Sequence, residues 1–117
     1  MKTIITISRT DYWQAASTSG QYSQSTLTST LEEIGYIHCT SPSQTMDIVQ
    51  RFSDVDDVML LLIDENKVKN PVRYEPAPSG RPGLFPHIYG SLYTDAVYET
   101  IALEKNDSGE FIAPERL

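Results

Sequence analysis

The chain has 117 residues, 39% hydrophobic and 21% charged, which suits one domain with one core and leaves no room for two. Its 16 acidic residues against 9 basic give a formal charge of −7, which repels phosphate backbones at long range and argues against generic nucleic-acid binding. A single cysteine excludes an internal disulfide and a multi-cysteine zinc site. The longest apolar run, Val58 to Ile63, is far short of the roughly 20 residues that cross a bilayer.

In chain order, Thr3 to Ile7 is β-branched throughout and predicts a first strand. Ser8-Arg9-Thr10-Asp11 follows, so the apolar part is too short for a signal-peptide core, and the expected compartment is the cytoplasm. Thr10 or Asp11 caps a short helix through about Ser17, with Trp13 and Ala16 inward, and Gly20 ends it. Gln21 to Thr30, rich in Ser, Thr and Gln without periodicity, reads as a loop near a cleft rather than core. A helical turn over Leu31 to Ile34 leads into Gly35.

Tyr36 to Thr40 predicts a strand whose alternation puts Tyr36, His38 and Thr40 on one face, with Ile37 and Cys39 on the other. Ser41-Pro42-Ser43-Gln44 is a helix start, with an N-cap, proline at the first helical position and a capping-box glutamine. Met46, Val49 and Phe52 follow at helical spacing as the buried stripe. Asp54 to Asp57 turns, and Val58 to Ile63 reads as a central strand covered on both sides, closed by Asp64.

Val72 to Glu75 is a short strand stopped by Pro76, and Pro76 to Gly83 a turn-rich surface loop. Leu84 to Tyr89 is extended, Leu92 to Thr94 turns, and Ala96 to Leu103 makes a last strand before a polar tail, Glu104 to Leu117, with one apolar patch at Phe111-Ile112. About two helices and five or six short strands in two small mixed or antiparallel sheets make a single α+β domain over residues 1–117. No glycine-rich strand-to-helix turn is present, against both a P-loop and a dinucleotide-binding Rossmann unit.

The chemistry concentrates at the only two histidines, His38 and His87. His38 and Thr40 share a strand face just before a helix N-terminus, a placement that suits a ligand's hydroxyls or amide, or a histidine satisfied by backbone at a sheet end. Arg73 and Glu75 share a face as well, either as a surface ion pair worth under about 1 kcal/mol or as a carboxylate turned toward a cleft. Phe85, His87 and Tyr89 line one side of an extended piece, fit for stacking on a base or nicotinamide ring and equally for closing the core. Arg73 and Arg81 are the candidates for a phosphate. His38, His87 and Glu75 would make a two-histidine, one-carboxylate metal set, but no helical spacing supports it and no metal ligand is assigned. Alternation turns Cys39 inward, as a small buried hydrophobe rather than a nucleophile.

Taken together, Gly35-Tyr36-Ile37-His38 followed by a small residue and Thr40, the aliphatic strand ending in Ile63-Asp64, Tyr74-Glu75-Pro76 and Leu84-Phe85-Pro86-His87-Ile88-Tyr89-Gly90 resemble the bacterial family catalogued as domain of unknown function 952. Trp13 and Asp95-Ala96-Val97 fit it too, and the resemblance spans roughly residues 3 to 103. More remotely, His38-Cys39-Thr40 running into a capped helix resembles the second site strand of ADP-ribosyltransferase-like folds, and in particular that of the RNA 2′-phosphotransferases. That likeness implies a cleft between two small sheets holding NAD or an ADP-ribosylated substrate. Thr6 stands where such relatives commonly carry histidine or lysine, and no glutamate sits at an obvious late-strand catalytic position.

The expectation is a binder, or a weak transferase or hydrolase, for NAD, ADP-ribose or a related nucleotide. Phe85 and Tyr89 would stack on a ring, His38 and Thr40 hold ribose hydroxyls, and Arg73 or Arg81 meet phosphate. In any chemistry, attack at the ribose carbon would follow nicotinamide loss, with His38 or His87 orienting the substrate and Glu75 stabilising the oxocarbenium ion. The alternative is a non-enzymatic protein-interaction module, of unknown partner, whose motif residues build the fold. No cofactor is certain and no membrane is expected.

Overall fold

The apolar run Val58–Asp64 (β4) is the middle strand of an antiparallel sheet, between Thr3–Arg9 (β1) and Val97–Ala102 (β8). The computed structural model describes residues Met1–Leu117. Period-two alternation divides β4 between two cores: Leu61 and Ile63 join Ile4 on one face, and Leu60 and Leu62 join Ile5 and Ile101 on the other. Each such fully buried aliphatic contributes about 1.5–3 kcal/mol, so this sheet is the rigid frame from which the rest hangs. The expectation that β4 is central and covered on both sides holds.

Thr10–Ser19 (α1) lays Ala16 and Trp13 on the first core and stops at Gly20, whose φ of 87° allows its N–H to reach the Ala16 carbonyl. Two local expectations need correction. Gln21–Tyr22 (β2) pairs with Leu92–Tyr93 (β7), so the segment read as a turn at Leu92 to Thr94 is partly strand. Tyr22 and Leu27 are buried, so Gln21 to Thr30 is not wholly outside the core. A buried tyrosine is admissible here because its hydroxyl donates to the Ser8 hydroxyl at 2.7 Å. A two-residue strand is too short to show a period.

Thr30 and Glu33 form a capping box on Leu31–Ile34 (α2), which ends at Gly35 in the left-handed region. Beyond it, Ile37–His38 (β3), Leu84–Ile88 (β6) and Val72–Pro76 (β5) form a second three-stranded sheet in the order β3-β6-β5. Between β3 and β4 runs Pro42–Val49 (α3), with Pro42 in its first turn and the Gln44 side chain accepting from the Ser41 N–H at 2.9 Å, as its sequence predicts. The chain thus has the two expected helices together with the short one at Leu31–Ile34, where the sequence places a helical turn, and eight strands in three antiparallel sheets rather than two sheets. The extra sheet is the β2–β7 pair. The α+β class stands, and no helix is long and apolar enough to cross a membrane.

One seam fixes the second sheet to the first. Ile5 and Thr40 exchange backbone hydrogen bonds of 2.8 and 2.7 Å, and the buried Thr6 hydroxyl donates to the His38 carbonyl at 2.9 Å. The tail returns to the frame: Phe111 is buried with Leu27, Val49 and Val58, and the Gln50 side chain bonds both its N–H and its carbonyl.

Candidate functional site

The register of the second sheet sets His38 opposite His87 and His87 opposite Arg73, with Glu75 opposite Phe85. Alternation adds Tyr36 and Thr40 on one flank and Tyr89 beyond the end of β6. Of the residues singled out from sequence, His38, Thr40, Arg73, Glu75, Phe85, His87 and Tyr89 therefore lie on one sheet face, and Arg81 lies in the loop between β5 and β6. The other face, with Ile37, Cys39 and Ile88, enters the core. Cys39 is buried and its thiol pushed up by desolvation, which removes it as a nucleophile.

The common face divides at His87. His38, Thr40, Phe85 and His87 line a cavity of about 250 Å³. Its walls are apolar: Ile7 from β1, Leu27 from the loop after β2, Ile48 from α3 and Phe52 just beyond it. The Pro-rich segment, expected to be only surface, contributes Ala77, Pro78, Ser79 and Arg81. A shallow depression containing Arg51, Ser79 and Arg81 continues the cavity outward. Arg81 is ion-paired with Asp47, and its Nε is buried with no hydrogen-bond partner. Arg51 has no carboxylate within ion-pair distance.

Glu75, Tyr89 and Arg73 do not line that cavity. Glu75 Oε1 accepts from Tyr89 at 2.5 Å and lies 2.8 Å from His87 Nδ1. The Tyr89 and His87 hydrogen bonds hold the Glu75 carboxyl below its ordinary range, so it is ionised at neutral pH, while the same bond to Glu75 pushes the Tyr89 hydroxyl up. Of the two alternatives for Arg73 and Glu75, the ion pair does not form. With that carboxylate oxygen occupied, the Arg73 guanidinium sits over the Tyr89 ring at 5.2 Å.

His87 is 2% exposed and is held on three sides. Tyr36 stacks on it with centroids 4.2 Å apart, His38 meets it edge-on at 5.4 Å, and Glu75 takes its Nδ1. His38 Nδ1 lies 2.9 Å from the Ser25 hydroxyl. Burial first, and the neighbouring His87 second, lower the pKa of His38, so its ring is neutral at pH 7. No group of three or more His, Cys, Asp or Glu side chains is placed to hold a metal ion.

Three contributors escaped the sequence reading of the site. Tyr36 was legible from its alternation with His38. Ser25 lies in a segment with no period, and Arg51 follows a helix end, where an arginine looks like any solvated cation.

A family model described as "Protein of unknown function (DUF952)" matches residues 7–100. No curated protein matches the chain. Among solved structures, the crystal structure of protein CC0527 from Caulobacter crescentus is similar with a TM-score of 0.77 and 20% identity, covering 94% of this chain and 93% of that one. The solution NMR structure of the same protein gives 0.75 and 22%, over 94% and 91%. At this identity the likeness establishes the fold alone.

Proposed function

The chain belongs to the DUF952 family, whose description assigns no activity, and from its site we propose that it binds a nucleotide-type ligand, NAD, ADP-ribose or a relative. The observation that carries this reading is the makeup of one cavity: two histidines and a threonine at its base, apolar walls, and two arginines where it opens. In a chain of net charge −7, two arginines beside one opening, one of them without an acidic partner, favour an anion there. The volume is below the about 300–1,000 Å³ typical of drug-sized sites, so it encloses a ring and leaves the charged remainder at the arginines.

The remote likeness to ADP-ribosyltransferase-like folds belongs to this reading. Supporting it, the two three-stranded sheets meet at the Ile5–Thr40 seam, and the cavity takes residues from both. Within this reading Glu75 acts through His87, as a positioning residue, rather than on the substrate. Arg51 and Arg81, not Arg73, are the phosphate-facing cations, and Phe85 rather than Tyr89 meets the ring.

The test is a two-dimensional proton–nitrogen NMR titration with NAD and ADP-ribose. Shifts gathered at His38, Thr40, His87, Arg51 and Arg81 support the reading, and their absence at millimolar ligand overturns it. The burial of His87 and Phe85 favours a second reading, in which the motif builds a protein-interaction module. Under that reading nucleotides leave Tm unchanged.

A further inference from the structure

We propose that His38, His87 and Thr40 present hydrogen-bond acceptors and no free donor to this cavity, and that it therefore selects a ring bearing an exocyclic amine, adenine rather than hypoxanthine. This rests on the nucleotide reading and names the end of the ligand that goes in first. Three side chains carry it, each with its proton placed by its neighbours.

The Ser25 hydroxyl has one proton and two partners, the Tyr36 carbonyl and His38 Nδ1. A carbonyl only accepts, so the serine proton goes to Tyr36, and His38 Nδ1 must carry the hydrogen it gives to Ser25. In a neutral imidazole the other nitrogen, Nε2, then holds a lone pair. His87 arrives at the same tautomer by a different route. Its Nδ1 faces the ionised Glu75, which can only accept, so Nδ1 donates, and in the neutral form of the ring Nε2 is again the acceptor. No protein group bonds either Nε2, and both rings line the cavity.

Thr40 completes the set. Its hydroxyl lies 2.7 Å from that of Thr45 and 3.5 Å from the Ile5 carbonyl, and Thr45 itself can donate to the Ser41 carbonyl at 3.1 Å. The Thr40 proton is used inward in either direction of that chain, to Thr45 or to Ile5, which leaves oxygen lone pairs for a ligand. The opening has the opposite character: Arg51 is unpaired, and the buried Arg81 Nε still seeks an acceptor. A ligand that donates at its head and is anionic at its tail satisfies both ends. The amine of adenine offers two protons to two imidazole nitrogens, whereas hypoxanthine sets a carbonyl oxygen against them, leaving acceptors facing one another.

The experiment is calorimetric titration of the intact chain at pH 8 with AMP and with IMP, which share ribose and phosphate and differ at the base edge. The expected result is AMP tighter by about tenfold or more. Equal affinity, or a preference for IMP, overturns the proposal while leaving nucleotide binding in place. Binding of neither overturns the nucleotide reading and this one with it. His87 is too buried for a clean substitution, so the second arm uses His38→Gln. A glutamine amide turns to donate or accept, so the AMP-to-IMP ratio should fall to about threefold or less with AMP still bound. An unchanged ratio would sink the assignment to His38.

Discussion

His38 and His87 stand directly opposite one another across the β3–β6 ladder, and their rings, 5.4 Å apart between centroids, line the same cavity. Such an opposed pair resists double protonation, because a charge on either ring raises the cost of charging the other. Each Nδ1 is tied to a different support, Ser25 on one side and Glu75 on the other, so the pair is held rigidly from both ends.

Stability should fall on acidification in two windows. His38 titrates below its ordinary value of 6.5 in the folded chain, so the unfolded chain takes up a proton first. Its contribution is fully present above about pH 6.5 and is lost as pH falls toward the lowered folded value. Glu75 is likewise depressed from 4.5, and its contribution is present above that pH and lost as pH drops through its folded value. Melting curves from pH 8 to pH 3 should show both declines, and His38→Gln should remove only the upper one. A variant that keeps the upper decline would contradict the assignment.

Ser25→Ala should be costly for so small a change. Ser25 is 2% exposed, and its hydroxyl serves the Tyr36 carbonyl and His38 Nδ1 together. Leaving those groups unpaired costs about 1–3 kcal/mol, a Tm loss of roughly 4–15 °C for a domain of this size. Ser43→Ala, at an exposed position in α3, is the matched control and should shift Tm by little. The nitrogen-15 shifts of His38 in Ser25→Ala should also move toward a mixture of tautomers, which simple loss of packing would not produce.

Most of this architecture was legible because the elements that matter carry a period or a cap. The Thr3–Ile7 and Val58–Ile63 strands, the Gly20 and Gly35 stops and the Ser41-Pro42-Ser43-Gln44 helix start are local signals, and each is where the sequence places it. Alternation also put Tyr36, His38 and Thr40 on one face and Cys39 on the other. What alternation could not give is which part of that face is enclosed. Enclosure comes from segments far away in sequence, the loop at Ser25 to Leu27, the end of α3 and the Pro-rich segment at Ala77 to Arg81, none of which has a period. Hence Glu75 and Tyr89 read as ligand contacts, although they stand beside His87 and outside the cavity. The β2–β7 pair was missed for the same reason, being made by non-local contact between two-residue strands.

Gly90→Ala should destabilise the end of β6 and so loosen the site from below. Gly90 has φ of 145°, and a Cβ there would meet the Asn70 side chain at 2.5 Å. Asn70 has little freedom to retreat, since its Nδ2 donates to the Ser91 carbonyl at 2.7 Å. Backbone strain and overpacking of this kind cost about 1–3 kcal/mol each. Denaturant unfolding should show a lower midpoint, whereas Gly109→Ala, with φ of 83° and open space around its Cβ, should be affected by strain alone and lose less.

Asp47→Asn should strengthen anion binding without unfolding anything. Asp47 is exposed and its role is to hold Arg81, which a phosphate must otherwise take from it. An exposed ion pair is worth about 0–1 kcal/mol, so releasing Arg81 should tighten a nucleotide monophosphate by up to about fivefold. Arg51→Ala works in the opposite direction, removing the cation that has no competing carboxylate, and should weaken the same ligand by about tenfold with an unchanged Tm. Raising salt should weaken both effects, because Asp47 and Arg51 face solvent. Calorimetry on the two variants at low and high salt decides the matter. Tighter binding in Asp47→Asn and weaker binding in Arg51→Ala would locate the anion between these arginines, and no change in either would place it elsewhere.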